Sequence, residues 1–187
     1  MLEVRDRDAI ALLRQRDPRG FDWAYERYAQ RIYGFLVRLS RSRSLAQDLF
    51  QHTFLRLAEA GPRLRTDSDL RAWLFSVARN AFHSHVRARG VQARADTELI
   101  PGPSGVGAGP ESGLALAELE RALGGLNRDD RELLLLLGVE GLSYAEVAEV
   151  LSVDQVTVRK RVSRARARLA QALDGEAQLV QKSQVDQ

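Results

Sequence analysis

From Ile100 to Pro110 the chain reads Ile-Pro-Gly-Pro-Ser-Gly-Val-Gly-Ala-Gly-Pro. Prolines remove backbone donors and glycines lose the most entropy on ordering, so neither a helix nor a central strand can run through this stretch. The rest of the chain must therefore fold as two pieces, and the stretch reads as a flexible interdomain linker. Neither flank shows β-alternation of useful length. The expected fold is all-α, with two small helical domains joined by that linker. The expected boundaries are 1–90 for the first domain, 91–113 for the linker and 114–173 for the second domain. Residues 174–187 are polar and Gln-rich, with too little apolar surface to offset ordering entropy, and are expected to be disordered.

Before the linker, Phe21, Tyr25, Tyr28, Ile32, Phe35 and Leu39 recur at three- and four-residue spacing, which predicts a helix with one buried stripe. Ser44 is the expected cap of a second helix carrying Leu45, Leu49, Phe50, Thr53, Phe54 and Leu57 and stopped by Gly61-Pro62. Asp69 is the expected cap of a third, with Leu70, Trp73, Leu74, Val77, Ala78 and Ala81 on its apolar face. Trp73 lies on that face, so it reads as core and not as a stacking platform. A shorter helix around Ile10–Leu13 should end near Pro18. After the linker, helices are expected over 114–123, 128–139, 143–151 and 154–173.

Zero cysteines and three histidines leave no basis for a disulfide framework or a zinc site. His83 and His85 lie two apart on a helix and diverge, so no metal is expected there. The first nine residues alternate in charge and no apolar run reaches about 18 residues, which implies no membrane insertion and a cytoplasmic protein.

The net charge is +3, but its distribution is more informative. Residues 1–90 carry seventeen arginines against ten acids, residues 114–154 three arginines against nine acids, and residues 155–187 seven basic residues against three acids. Basic charge is concentrated in two places, as contact with a polyanion at two points would need. Arginine dominates, and its planar fork suits phosphates and guanine edges, although a genome rich in Arg codons accounts for the preference equally well.

Residues 143–169 read as a helix-turn-helix: a short helix, a tight corner and a longer basic helix. Ala148 is small enough to admit a close helix crossing. Val158, Val162, Ala165 and Leu169 share one face at spacings of four, three and four, and that face must point inward. At about 100° per residue, Lys160, Ser163 and Arg164 then project outward, flanked by Arg159 and Arg161. Residues 155–168 contain six basic residues and no acid, so the i,i+4 acid–base pairs of a merely solvated helix are absent and the face suits DNA.

Taken together, these segments resemble the extracytoplasmic-function subfamily of bacterial sigma-70-type RNA polymerase sigma factors. Leu142-Ser-Tyr-Ala-Glu-Val-Ala-Glu-Val-Leu151 followed by Thr157-Val-Arg-Lys-Arg-Val-Ser-Arg-Ala-Arg166 is similar to that family's fourth region, and the likeness spans about residues 8–173. It implies that Arg159, Lys160, Ser163 and Arg164 contact the −35 promoter element. Ala46-Gln-Asp-Leu-Phe-Gln-His-Thr-Phe-Leu55 resembles the segment that docks on the clamp of the polymerase's largest subunit, implying polymerase contacts by Asp48 and Gln51. For Asp48 the residue type alone also fits a first-turn helix-dipole role. Arg71–Arg89 resembles the segment that recognises and opens the −10 element, which implies DNA contacts by Arg79, Asn80, His83 and Arg87. In the preceding loop Asp67 and Ser68 are candidates for holding a flipped base, and a helix-capping role explains these residue types as well. The resemblance further implies core RNA polymerase and promoter DNA as partners, control by an anti-sigma factor, no cofactor, and two domains that move independently away from the polymerase. Two positions depart from the pattern: His52 stands where an acid is usual, and Ser152 where the helix-turn-helix corner usually carries glycine to allow a left-handed backbone.

The alternative reading is a stand-alone helix-turn-helix regulator, since similar segments end many such proteins. Its receiver domain would begin with alternating strands and helices, whereas residues 1–90 read as helical and basic. An enzyme would need a nucleophile–base pair, a metal cluster or a phosphate loop, and the linker glycines are neither preceded by a strand nor followed by lysine.

Overall fold

The computed structural model describes the backbone of residues 6–89 and 119–185 and the side chains of 6–88 and 119–174. The Gly/Pro stretch and the expected linker lie outside the described residues. Helix α1 spans Asp6–Arg14, α2 Pro18–Ser40, α3 Arg43–Ala60, followed by a 3₁₀ turn Gly61–Arg63, and α4 Leu70–Arg89. In the second half α5 covers 119–125, α6 Arg128–Leu134 with a π-helical turn Leu135–Val139, α7 Tyr144–Leu151 and α8 Gln155–Val185. No strand occurs among the described residues, and the two halves form two helical domains.

Local chemistry explains most helix starts. Asp17 caps α2 by accepting from the Arg19 amide at 3.0 Å, with Pro18 in the first turn where its missing N–H costs nothing. Asp69 caps α4, accepting from the Ala72 amide at 2.9 Å as the sequence predicts. The cap of α3 is Ser42 and not Ser44, because Arg41 takes a left-handed conformation (φ 55°) that leaves Ser42 extended, with its hydroxyl accepting from the Leu45 amide. Ser143 and Glu146 form a reciprocal capping box on α7.

In the first half, Ile10, Ile32, Phe35, Leu36, Leu39, Leu57, Leu70, Leu74 and Phe75 are fully buried, with Phe35 and Phe75 edge to face at 5.3 Å. Gly20 lets α1 meet α2 closely, since a Cβ there would sit 2.7 Å from the Leu13 amide nitrogen. In the second half Leu133, Leu135, Leu136, Val147, Val158, Val162 and Ala165 form the interior.

Two expectations change. Helix α8 continues to Val185, where a disordered tail from Asp174 is expected; Glu, Ala, Gln, Leu and Lys are good helix formers, and the backbone stays helical. The two halves are also not independent: α4 packs on α7, while α2 touches α6 and the π-helical turn. The basic first half and the acidic 114–154 segment are joined by ion pairs, described below.

Ser152 closes α7 at φ 55°, ψ 45°, the left-handed geometry that glycine adopts freely and a side chain opposes. Ser152→Gly is expected to raise the unfolding free energy by about 1 kcal/mol, read as a higher urea midpoint at unchanged slope.

Candidate nucleic-acid interface

The corner between α7 and α8 is tight because Ser152 turns left-handed and its amide bonds back to the carbonyls of Ala148 and Glu149. Ala148 is buried at the crossing, and Val158, Val162 and Ala165 turn inward with Leu169 packed beside them, as the spacing predicts. Arg159, Lys160, Ser163 and Arg164 are consequently all exposed on the outer face. Asp154 caps α8, its carboxylate accepting from the Thr157 amide at 2.7 Å and hydroxyl at 2.8 Å, and these bonds hold its carboxyl below the usual range. Arg159 lies over the Tyr144 ring at 5.9 Å, a cation–π contact that narrows its range of positions before any DNA arrives. Lys160 and Arg164 are adjacent on the helix, with the Arg164 Nε 3.4 Å from the Lys160 carbonyl.

The other candidate face lies on α4 and the loop before it. Asp69 does the capping, so Asp67 and Ser68 are left without that role. The Asp67 carboxylate is exposed and held by Arg65 through bonds of 3.0 and 2.9 Å, which depress its pKa. Asn80 and Arg87 are exposed, with Arg87 donating to the Ser84 hydroxyl at 3.1 Å. Arg79 and His83 differ: both meet Glu132 of α6. Arg79 donates to Glu132 Oε1, and His83 Nε2 lies 2.7 Å from Oε2. Two of the expected DNA contacts on α4 are therefore engaged by the second half.

Two more pairs repeat the pattern. Arg71 on α4 donates to Glu146 of α7, and Arg31 on α2 donates from Nε to Glu140 Oε2 at 3.2 Å and to the Glu140 carbonyl. Burial pushes the Glu140 carboxyl above the usual range, and Arg31 offsets this only in part. Burial also works to raise Glu146, but Arg71 and the Ser143 cap outweigh it and hold its carboxyl lower. Arg41 reaches across as well, donating to the Gly124 carbonyl at 3.1 Å. Within the second half the half-buried Arg131 satisfies the carbonyls of Leu123, Gly124 and Leu126, and Arg168 of α8 pairs with Asp130 at 2.5 Å.

On the far side of the first half, Asp48 and Gln51 are exposed on α3. Gln51 borders an open groove between α2 and α3 lined by Phe21, Tyr25, Tyr33, Phe50, Phe54 and Leu55. Tyr25 and Phe50 each stand 5.0 Å from Phe54, and Tyr25 and Leu55 are 43% and 59% exposed, so part of the stripe expected in the core faces outward instead. The sequence reading missed Glu132, Glu140, Glu146, Arg31, Arg71 and Tyr144. Its one signal for the acids was the excess of negative charge over 114–154.

No group of three or more His, Asp or Glu among the described residues is placed to hold a metal ion, and no described helix is long and apolar enough to cross a membrane.

Residues 24–91 match the Sigma-70 region 2 family and residues 116–169 the Sigma-70 region 4 family. Among curated proteins, the chain is 30% identical over 185 residues to the RNA polymerase sigma-H factor of Pseudomonas aeruginosa, covering 92% of this chain and 96% of that one. Among solved structures, it is similar to the sigma factor RpoE from Bartonella quintana, crystallised with the anti-sigma factor NepR (30% identity, TM-score 0.68, 82% of this chain and 96% of that one). It is also similar to CnrH in complex with the cytosolic domain of CnrY (26% identity, TM-score 0.71, 91% and 97%).

Glu132 is 2% exposed. Neutralising it with Glu132→Gln is expected to loosen the second half from α4 by about 3 kcal/mol, the scale of breaking a buried ion pair. Amide exchange in α6 and α7 then quickens while α1–α3 keep their rates; equal exchange in both proteins contradicts this.

Proposed function

The chain belongs to the sigma-70 family of RNA polymerase sigma factors, in its extracytoplasmic-function branch, and from that premise we propose how its two halves divide the work of starting transcription. Residues 1–90 act as region 2, docking on the clamp of the polymerase's largest subunit and engaging the −10 element. Residues 114–173 act as region 4 and grip the −35 element, with 91–113 as the tether that lets the two span a promoter. The observation that carries this reading is the presence of both matched regions in one chain, each with an exposed polar or basic face of the required kind.

Asp48 and Gln51, beside the aromatic groove, are the proposed polymerase contacts, because an exposed apolar groove rimmed by polar groups suits a protein partner. His52 is exposed on the same helix and leaves this contact without the acid usual there. On region 4, Arg159, Lys160, Ser163 and Arg164 read base edges and hold phosphates from the major groove, the braced Arg159 being suited to bidentate contact with guanine. On region 2, Asn80 and Arg87 face the DNA with Asp67 and Ser68 at the pocket for an unstacked base, and Arg79 and His83 join them once Glu132 withdraws. Region 4 must therefore leave α4 before the −10 face is complete.

Bond making belongs to the polymerase, and this chain contributes recognition and strand capture without an active site of its own. The polymerase and DNA place its work in the cytoplasm. One structural relative, RpoE, is bound to an anti-sigma factor, and we assign the same class of partner to this chain, acting by covering the faces just named. The stand-alone regulator is not favoured, since it leaves region 2 without a task.

The test is transcription from purified components, using core polymerase and promoter fragments selected by the holoenzyme. Promoter-specific initiation is expected to need this chain, and Arg159→Ala with Arg164→Ala is expected to lower −35-dependent initiation by at least about tenfold, as loss of one good base contact predicts. Specific DNA binding by the chain without any association with core polymerase would overturn the reading.

A further inference from the structure

Most long side chains on the outer face of α8 are polar, and Val156 is a large apolar exception. Val156 is 59% exposed, one of the most exposed large apolar groups in the described structure. At about 100° per residue it stands opposite the buried Val158 and Ala165, in line with Arg159, Lys160 and Ser163 at i+3, i+4 and i+7. It therefore belongs to the stripe assigned to DNA, one turn nearer the helix start than any residue so far placed there.

A β-branched residue on the water side of a helix lowers helix propensity and here buries little in return. Its neighbours narrow what it can meet. Thr157 has its amide and hydroxyl committed to the Asp154 carboxylate, which also sets a negative charge at the helix start where a phosphate would otherwise approach. The Asp154 charge disfavours a phosphate at the first turn of α8, which leaves the exposed side chains of Gln155 and Val156 to address DNA there. In a helix-turn-helix the start of the recognition helix approaches the base edges most closely, so a short side chain reaches the groove floor there, while longer arginines reach out from later turns. The one apolar feature on the major-groove floor is the thymine C5 methyl.

We propose that Val156 is a specificity-determining residue that packs against the methyl group of a thymine in the −35 element, adding an A·T preference beside the arginine contacts. The inference rests on the assignment of this face to promoter DNA.

The experiment uses holoenzyme and a promoter it has selected from a random library, with each −35 thymine replaced in turn by deoxyuridine, which pairs identically and lacks only the methyl. Deoxyuridine at one position is expected to weaken wild-type binding about fivefold, the scale of a single apolar base contact. Val156→Ala loses the same factor on the thymine promoter and nothing further on the deoxyuridine one. Arg159→Ala weakens binding to both and keeps the deoxyuridine penalty. Binding that needs the −35 element and Arg159 yet is indifferent to every deoxyuridine, or a penalty that persists in Val156→Ala, overturns the proposal for Val156 alone. So does a selected −35 element with no A·T pair. Loss of core polymerase binding in Val156→Ala overturns it in favour of a protein contact. Binding with no dependence on a −35 element overturns the underlying assignment as well.

Discussion

A carboxylate as deeply buried as Glu132 has to be neutralised where it lies, because an unpaired buried charge is strongly destabilising. The arginine that neutralises it, Arg79, and the imidazole beside its other oxygen, His83, are on the other half of the molecule. This fixes the face of α6 that meets α4, and with the Arg71–Glu146 and Arg31–Glu140 pairs it sets the docking of the second half onto α2 and α4. Opposite segmental charge therefore adds to an apolar core that runs through both halves, and fixes how they meet. Such contacts are costly to break singly, yet a surface that supplies other partners for the same cations can replace them. DNA phosphate is a partner of that kind for an arginine, which links the closed arrangement to the proposed work on the −10 element.

The surfaces differ in how they stand in this arrangement. The basic stripe of α8 and the aromatic groove of α2 and α3 both face outward, so the surfaces proposed for the −35 element and polymerase are exposed from the start. On α4, Asn80 and Arg87 are open, and Arg79 and His83 are held. In the proposed mechanism, recognition at two points thus need not be simultaneous, and opening of the chain is a step between docking and engagement of the −10 element.

Much of this was legible in the sequence, for reasons that are local. The inward stripe of Val158, Val162 and Ala165 and its polar complement follow from a period of 3.6, and Asp69 as a cap follows from its place before Leu70. What was not legible depended on neighbours. Ser42 and Ser44 are equally good caps, and the choice fell to a left-handed Arg41. Period assigns Tyr25 to the stripe with Tyr28, but nothing in the period says that no helix covers that end. The excess of acid over 114–154 was visible, whereas the pairing of Glu132 with Arg79 and His83, 53 and 49 residues away, depends on how α6 rotates against α4. Helix α8 outlasts the expected boundary because local propensity carries a backbone further than a hydrophobic pattern does.

The sequence has no cysteine, so a pair introduced as Glu59→Cys and Gln171→Cys, both exposed and outside the proposed contacts, can carry two fluorophores for energy transfer. The free chain is expected to give a single short-distance population that spreads as salt rises, and assembly with core polymerase and promoter is expected to convert it to a long one. Separated halves in the free chain at low salt, or a short distance retained in the promoter complex, would contradict an arrangement held by charge and opened for DNA.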